Sequence, residues 1–374
     1  MQERTIALDR ARTFCTILVV AYHAALPFTR VEHHDGWLGF DLFVLFNDSF
    51  FMALMFFLSG LFVWPSLARK GIAAFLRDRA VRLGIPFILS VIVLMPIANY
   101  PEALNANPDL GFFTYWATTL LHGPHPAGPA WFVWVLLAFD ALAVMLYRTA
   151  PAILAPINRL SKWAHVRPSY FFVPLVLASC AAYVPLLMAF PESRWFEIGP
   201  FAVQATRPLL YAVYFFAGAG IGAANMEHGL LAERGPLVRQ WAAWCAAALG
   251  AFCAVVLITA LRHAQWPVPA NPPAWWSALD GMTTSVFCAT VSFALLAVFL
   301  RFRDSGLAFL DRLRGSAYGV YLCHFVVILW LKVALVHTQL NVASKAAIMF
   351  AAALLLSWSV VSVLRRSRLV ARIV

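Results

Sequence analysis

The stretch LDRARTFCTILVVAYHAALPF, residues 8–28, holds two ionisable side chains whose spacing could support chemistry inside an apolar segment. His23 follows Arg12 by eleven residues, and eleven steps of about 100° return an α-helix to within about 20° of its starting face. The two side chains therefore share one face, roughly 16 Å apart along the axis. Ionisable groups in such a segment mark a pathway, a proton relay or a bound ligand, although a histidine can also simply bridge two helices. A general base is the chemistry that His23 could supply.

A second candidate, Asp48, lies in the segment LFVLFNDSFFMALMFFLSG. If this segment runs antiparallel to the first, residue counting brings Asp48 to a depth close to that of His23. A carboxylate beside an imidazole would orient the ring and fix its tautomer, as a general base requires. The alternative is that Asn47 and Asp48 only cap a helix that begins at the membrane surface. The spacing leaves both interpretations open.

The composition shows which kind of element must position these side chains. Of the 374 residues, 62% are hydrophobic and only 12% are charged, with a mean hydropathy of +0.77. Soluble domains carry about 25% charged residues, so we predict an all-α, polytopic transmembrane helix bundle. No stretch is long and polar enough to form a separate soluble domain, so residues 1–374 are predicted to form a single membrane domain. The six cysteines show no metal-binding spacing, and we expect neither a metal site nor a permanently bound cofactor.

Ten transmembrane spans are predicted from runs of apolar residues. They are roughly 13–28, 44–66, 84–99, 130–147, 170–190, 208–224, 242–261, 282–300, 316–336 and 346–364. With both termini in the cytoplasm, 22 of the 28 lysines and arginines fall in inner segments and five in outer ones. This bias follows the positive-inside rule. The net charge of +11 is therefore a sign of topology, and we expect no nucleic-acid partner.

An arginine pair in ARKGIAAFLRDRAVRLGIP, the first predicted cytoplasmic loop, is the third candidate site. Arg79 and Arg82 are three residues apart, so they would meet on one face of a helix. Two guanidinium groups side by side form a fork that suits phosphate or pyrophosphate. The alternative is that they only help to fix the topology, as basic residues of such loops usually do.

Taken in order, these motifs resemble the acyltransferase-3 family of membrane O-acyltransferases. The resemblance runs from about residue 5 to about residue 335. Its motifs are the Arg-x10-His of the first span, FFLSG, Arg-x-x-Arg before LGIPF, GPAWFVWVLLAFD at 128–140 and GSAYGVYLCH at 315–324. The FNDSF start of the second span is similar to the branch that contains the succinyltransferase of osmoregulated periplasmic glucans.

The resemblance implies an integral protein of a bacterial-type cytoplasmic (inner) membrane that acylates a hydroxyl group of a glycan on the outer side. Its donor is a cytoplasmic acyl-CoA, which Arg79 and Arg82 are implied to hold. His23 corresponds to the essential histidine of the family. Arg12 corresponds to the arginine beneath it, and we expect it to contact the donor, whose pantetheine arm would pass it on the way to His23. The sequence leaves open whether His23 acts as a general base or carries the acyl group covalently.

Two residues of the ninth predicted span complete the candidate site. His324 and Tyr321 lie one turn apart in YGVYLCH, and we predict that they line the passage for the donor, although a buried structural histidine is an equal alternative. A secondary transporter or a lipid-linked glycan flippase is the alternative function. Against it, the two halves of the chain show no inverted repeat and no matched pair of broken helices.

Overall fold

The computed structural model describes residues 2–32, 36–126, 128–224, 229–265 and 272–373. This part of the chain is a bundle of helices with one short β-hairpin, which confirms the predicted all-α class. In chain order the elements are α1 (Gln2–Ala25), α2 (Leu38–Asp48), α3 (Phe51–Gly60), α4 (Val63–Lys70), α5 (Ile72–Arg79), α6 (Ile85–Leu89), α7 (Met95–Ala106), α8 (Phe112–His122), α9 (Trp131–Thr149), α10 (Ala155–Trp163), α11 (Ser169–Ala189), β1 (Trp195–Ile198), β2 (Phe201–Gln204), α12 (Pro208–Ala223), α13 (Pro236–Arg239), α14 (Trp241–Gln265), α15 (Ala274–Arg301), α16 (Ala308–Arg314), α17 (Ala317–Val336), α18 (Val342–Leu364) and α19 (Val370–Ile373).

Nine helical segments in the described part of the chain are long and apolar enough to cross a membrane, by length and composition. They are Ile6–Phe28, Leu38–Lys70, Ile72–Ala106, Gly128–Thr149, Ser169–Ala189, Trp241–Gln265, Ala274–Arg301, Ala317–Val336 and Val342–Leu364. Each corresponds to one predicted span. The tenth prediction, 208–224, falls on α12, a shorter apolar helix of 16 residues. The protein is therefore a multi-pass membrane protein.

The region predicted as a cytoplasmic loop before the third span is largely helical. Gly71, with a φ of 77°, separates α4 from α5, and such a backbone conformation favours glycine. From Ile72 the helix continues to Ala106, interrupted by two π-helical turns, Ala80–Gly84 and Ser90–Leu94. Because a π turn is wider than an α turn, it changes the angular spacing of the residues in it. The predicted meeting of Arg79 and Arg82 on one α-helical face therefore does not follow.

An ion pair at one end of the bundle sets the register of α1 against α16 and α17. Arg10 is buried and donates to both carboxylate oxygens of Asp311, at 2.7 and 2.6 Å, and to the carbonyl of Arg303. The hydrogen bond from Arg10 lowers the pKa of Asp311 below its ordinary value. Thirteen residues separate Arg10 from His23, and thirteen separate Asp311 from His324. The Arg10–Asp311 contact and the His23–His324 contact follow each other in the same direction along both segments, so α1 and α17 run parallel and the clamp holds them in register.

Glycines allow α12 to pack closely along α3. A β-carbon at Gly60 would collide with the carbonyl of Phe215, and one at Gly222 would collide with the carbonyl of Leu61. Small residues at a helix interface let two backbones approach in this way. The contact matters for the site because α12 begins directly after Arg207, and its first turns carry Tyr211.

Gly222→Val is therefore expected to destabilise the bundle. The new side chain meets the backbone of Leu61, which cannot move aside as a flexible side chain could, and such overpacking costs about 1 to 3 kcal/mol. Thermal unfolding of the purified protein in detergent measures the effect. The matched control is Gly250→Val in α14, where a β-carbon meets nothing within 4 Å. Equal melting temperatures for the two variants would contradict the proposed close packing.

Candidate active site

His23 and His324 form a hydrogen-bonded pair inside the bundle. Nε2 of His324 lies 3.1 Å from Nδ1 of His23, and the ring centroids are 5.1 Å apart. His324 is completely buried, whereas the side chain of His23 is only partly covered. Tyr22 and Phe325 each pack edge-on against the His23 ring, at 5.2 Å between centroids. The pair therefore consists of a buried inner ring and a partly accessible outer ring.

The neighbours of the two rings determine where their protons lie when both are neutral. Nδ1 of His324 is 2.7 Å from the carbonyl of Tyr321, so this nitrogen must be the donor and Nε2 carries the lone pair. Nδ1 of His23 then faces two acceptors, Nε2 of His324 and the carbonyl of Val19 at 3.0 Å. It must carry the proton of His23. Nε2 of His23 is left with a free lone pair, which is the state that a general base or a nucleophile needs.

His324 is expected to support turnover through His23 without contacting the substrates. When His23 takes up a proton, the bond from its Nδ1 to His324 becomes charge-assisted, and such bonds are worth about 1.5 to 3 kcal/mol. His324→Ala should therefore lower kcat roughly 10- to 100-fold, at about 1.4 kcal/mol per decade, with little change in KM for either substrate. His324→Gln retains a donor and an acceptor and should restore part of the rate. A loss of stability without a change in kcat, or a loss that Gln does not reduce at all, would contradict this role.

The structure pairs Asp48 with Arg207, and among the described residues no hydrogen bond joins Asp48 to His23. The carboxylate of Asp48 lies 2.5 Å from a guanidinium nitrogen of Arg207, and Arg207 also donates to the Asp48 backbone carbonyl. The phenol of Tyr22 lies beside the same carboxylate. Tyr22 and His23 are consecutive on α1 and point in different directions, so the carboxylate reaches the first and not the second. Arg207 was missed because it stands in a loop before α12, with no pattern linking it to Asp48.

Two arginines mark the opposite end of the site. Arg12 is close enough to Arg79 for the two charges to repel each other. Each is partly neutralised by one carboxylate: Arg12 by Asp9 at 3.3 Å, and Arg79 by the buried Asp140 at 3.1 Å. Two cations held together in this way favour a bound anion. This end of the site lies roughly 16 Å along α1 from His23, at about 1.5 Å per residue.

Arg82 occupies a different place from Arg79. It is exposed and lines an open cleft together with Arg77, Asp78, Val81 and Arg372. Arg79 thus contacts the buried Asp140, whereas Arg82 lies on the exposed cleft. Either could contact a phosphate group.

Tyr321 and His324, predicted to line the passage for the donor, are both buried in the bundle. Tyr321 is 3% exposed and donates a hydrogen bond to the carbonyl of Pro129. His324 contacts His23 and the backbone of its own helix. Tyr321 packs against the His324 ring at 6.0 Å between centroids, so it contacts His23 only through His324.

No cluster of three or more metal-ligating side chains occurs among the residues that the structure describes.

The comparison with protein families decides the class of this site. The profile described as "Acyltransferase domain", that of the acyltransferase-3 family, matches residues 5–362. The chain belongs to the acyltransferase-3 family. Membership of this family favours an acyltransferase over the alternative of a transporter or flippase.

Curated relatives of this acyltransferase carry the name "Glucans biosynthesis protein C". The protein of that name from Escherichia coli (strain K12) is 23% identical over 228 residues, which are 58% of each chain. The one from Escherichia coli O157:H7 is 22% identical over the same length. The matched region thus spans less than two thirds of these relatives. No solved structure matches the chain significantly.

Proposed function

We propose that the protein transfers an acyl group from cytoplasmic acyl-CoA to a hydroxyl of a glycan on the outer side of a bacterial inner membrane. The observation that carries the proposal is the hydrogen-bonded His23–His324 pair. With the carbonyl of Val19, this pair assigns the proton of His23 to Nδ1 and leaves the lone pair on Nε2. Family membership supplies the class of reaction, and the name of the relatives points to glucans as acceptors.

The reaction would proceed by general-base catalysis. Nε2 of His23 removes the proton from the acceptor hydroxyl as its oxygen attacks the thioester carbonyl carbon. The carbon–sulfur bond then breaks, and the CoA thiolate receives the proton from His23. General-base catalysis of this kind contributes about 10² to 10⁴ in rate. The new ester bond stays on the acceptor, and CoA is released toward the cytoplasm.

A covalent relay is the second candidate mechanism, because the same lone pair could attack the thioester directly. The acyl group would then reside on Nε2 until the acceptor hydroxyl displaced it. Initial-rate kinetics with both substrates varied separate the two mechanisms: parallel double-reciprocal lines indicate the relay, and intersecting lines indicate direct transfer.

The arginines at the opposite end of the site would receive the donor. Acyl-CoA is a phosphorylated anion with a long, flexible arm. The Arg12–Arg79 pair and the cleft at Arg82 offer positive charge for its phosphates, and the arm would bridge the roughly 16 Å to His23. This arrangement lets the acyl group cross the membrane while CoA remains on its own side.

A sided assay tests the proposal. Purified protein is reconstituted in proteoliposomes, with isotope-labelled acyl-CoA added on one side and a glucan oligosaccharide enclosed on the other. We expect labelled ester on the enclosed oligosaccharide and free CoA outside, with acetyl-CoA and succinyl-CoA compared as donors. CoA release without transfer of label, in correctly inserted protein supplied with both donors, would contradict the proposal.

A further inference from the structure

An open cleft of about 420 Å³ lies where α5 and the π-helical turn that follows it meet α19. Its lining residues are Arg77, Asp78, Val81, Arg82 and Arg372. The volume falls within the range of about 300 to 1,000 Å³ that is typical of small-molecule sites. Because most of the lining side chains are charged, the cleft suits a charged ligand rather than an apolar one.

The charge of this cleft is mainly positive. Its one acidic lining residue, Asp78, accepts a hydrogen bond from Lys70, which lies outside the lining. Arg77, Arg82 and Arg372 are exposed, and among the residues that the structure describes none of them forms a hydrogen bond or an ion pair with a carboxylate. Three guanidinium groups with free donors therefore share one cleft, and the planar guanidinium fork matches the oxygens of a phosphate group.

The π-helical turn explains how Arg77 and Arg82 come to line the same cleft. Residues five positions apart in a regular α-helix point about 140° apart, because each step turns the helix by about 100°. The turn Ala80–Gly84 is wider, and it closes with a hydrogen bond from the N–H of Ile85 to the carbonyl of Ala80. The wider turn reduces the angle and directs Arg82 toward the side of Arg77.

The short helix α19 supplies the third guanidinium group from a distant part of the sequence. Arg372 follows Arg82 by 290 positions, and it reaches the cleft because α19 packs against the turn Ala80–Gly84. Arg368, four positions before Arg372, is also exposed but does not line the cleft. The positive-inside rule accounts for basic residues near a membrane surface, but it does not account for three arginines of two elements that share one cleft.

The position of the cleft relative to Arg79 indicates which phosphate it receives. Acyl-CoA carries a pyrophosphate next to its pantetheine arm and a further phosphate on the 3′ carbon of its ribose. Arg79 lies near Arg12, at the end of the site from which the arm would reach His23. Arg77 and Arg82 flank Arg79 by two and three positions, within one helical turn of about 5.4 Å on either side. The pyrophosphate therefore suits Arg12 and Arg79, and the 3′-phosphate, which lies beyond the ribose, suits the neighbouring cleft.

We propose that Arg77, Arg82 and Arg372 form a phosphomonoester site for the 3′-phosphate of the acyl-CoA donor, with α19 as one of its walls. The inference rests on the proposed function and adds to it the basis on which the protein selects CoA over a thioester that lacks this phosphate. Arg372 is the donor-binding residue that distinguishes the inference, because it belongs to neither the loop nor the helix that carries the other arginines.

A comparison of succinyl-CoA with succinyl-dephospho-CoA, which lacks only the 3′-phosphate, tests the site. Purified protein in detergent receives each donor at increasing concentrations, with a glucan oligosaccharide at saturation. We expect Arg372→Ala to raise the KM for succinyl-CoA roughly tenfold, which corresponds to about 1.4 kcal/mol, with kcat unchanged. The same substitution should leave the KM for the dephospho donor unchanged, because the group that Arg372 contacts is absent from it.

The matched control is Arg368→Ala, which removes an exposed arginine of the same segment outside the cleft and should match the wild type with both donors. An equal rise in KM for both donors in Arg372→Ala would indicate a general electrostatic or structural effect and would overturn the proposal. An unchanged KM for succinyl-CoA, or the same rise in Arg368→Ala, would overturn it as well.

Calorimetric titration with adenosine 3′,5′-bisphosphate keeps the test independent of turnover. We expect this nucleotide to bind the wild type, and to bind Arg372→Ala roughly tenfold more weakly, whereas adenosine 5′-monophosphate should not distinguish the two proteins. Binding that depends on Arg372, without acyl transfer, would reject the proposed reaction but support the site. Acyl transfer with binding that is independent of the 3′-phosphate would reject the site but support the reaction. Failure of the bisphosphate to bind the wild type would overturn the site, and Arg372-dependent binding of phosphatidylglycerol in mixed micelles would then identify a lipid headgroup as the occupant.

Discussion

His23→Ala is expected to abolish acyl transfer while expression and membrane insertion stay close to those of the wild type. Alanine removes the lone pair that either takes the hydroxyl proton or accepts the acyl group, so both mechanisms lose their reactive atom. The expected loss is at least the 10² to 10⁴ that a general base contributes. The measurement is acyl transfer by purified protein at saturating donor and acceptor, with CoA release recorded in parallel.

Two controls accompany this variant. His337→Ala removes an exposed histidine just beyond α17, and it should leave turnover unchanged. Thermal unfolding of His23→Ala shows whether the loss of its partner disturbs the buried His324. Near-normal turnover in a correctly inserted His23→Ala protein would reject His23 as either base or acyl carrier.

Arg82→Ala is expected to weaken the apparent affinity for acyl-CoA roughly 10- to 100-fold, with kcat at saturating donor nearly unchanged. A guanidinium–phosphate hydrogen bond is worth about 1.5 to 3 kcal/mol, and a group that holds the donor equally in ground and transition states affects KM rather than kcat. Arg82 is exposed on its cleft, so its removal should leave the fold intact. Titration of acyl-CoA against activity measures the change.

The matched control is Arg69→Ala, which removes an exposed arginine from the same basic region but outside the cleft. An unchanged donor KM in Arg82→Ala, or the same change in both variants, would assign the cluster to the positive-inside rule alone.

Arg79 requires a different substitution because its partner Asp140 is only 1% exposed. Arg79→Ala would leave that carboxylate buried without its cation, and any kinetic effect would be mixed with a loss of stability. Arg79→Lys keeps the charge beside Asp140 but loses the planar fork. We expect this variant to remain stable and to show a raised donor KM.

The sequence by itself determined the properties that depend on local composition and periodicity. Apolar runs and the shortage of charge predicted the all-α polytopic bundle, because each membrane-spanning helix must carry its own apolar surface. The spacing of Arg12 and His23 also follows from the helix alone, since eleven residues return to the same face whatever surrounds them. For the shorter α12, composition alone was not sufficient. The reason for its glycines is the close packing against α3, which is visible only in the structure.

Only the tertiary structure decided which polar groups meet. Residue counting gave Asp48 a depth but not a direction, so it suggested His23, whereas the packing of α12 brings Arg207 to that carboxylate. His324 is 301 positions from His23, and no local sequence pattern relates the two residues. The Arg10–Asp311 clamp and the parallel course of α1 and α17 bring them together. For the same reason, the sequence could not predict the partner of Asp140 or the position of the hairpin. The depth of a residue in the membrane can be counted along its own helix. A contact between two residues also depends on how each helix is rotated and on which helices are neighbours, and only helix packing fixes these.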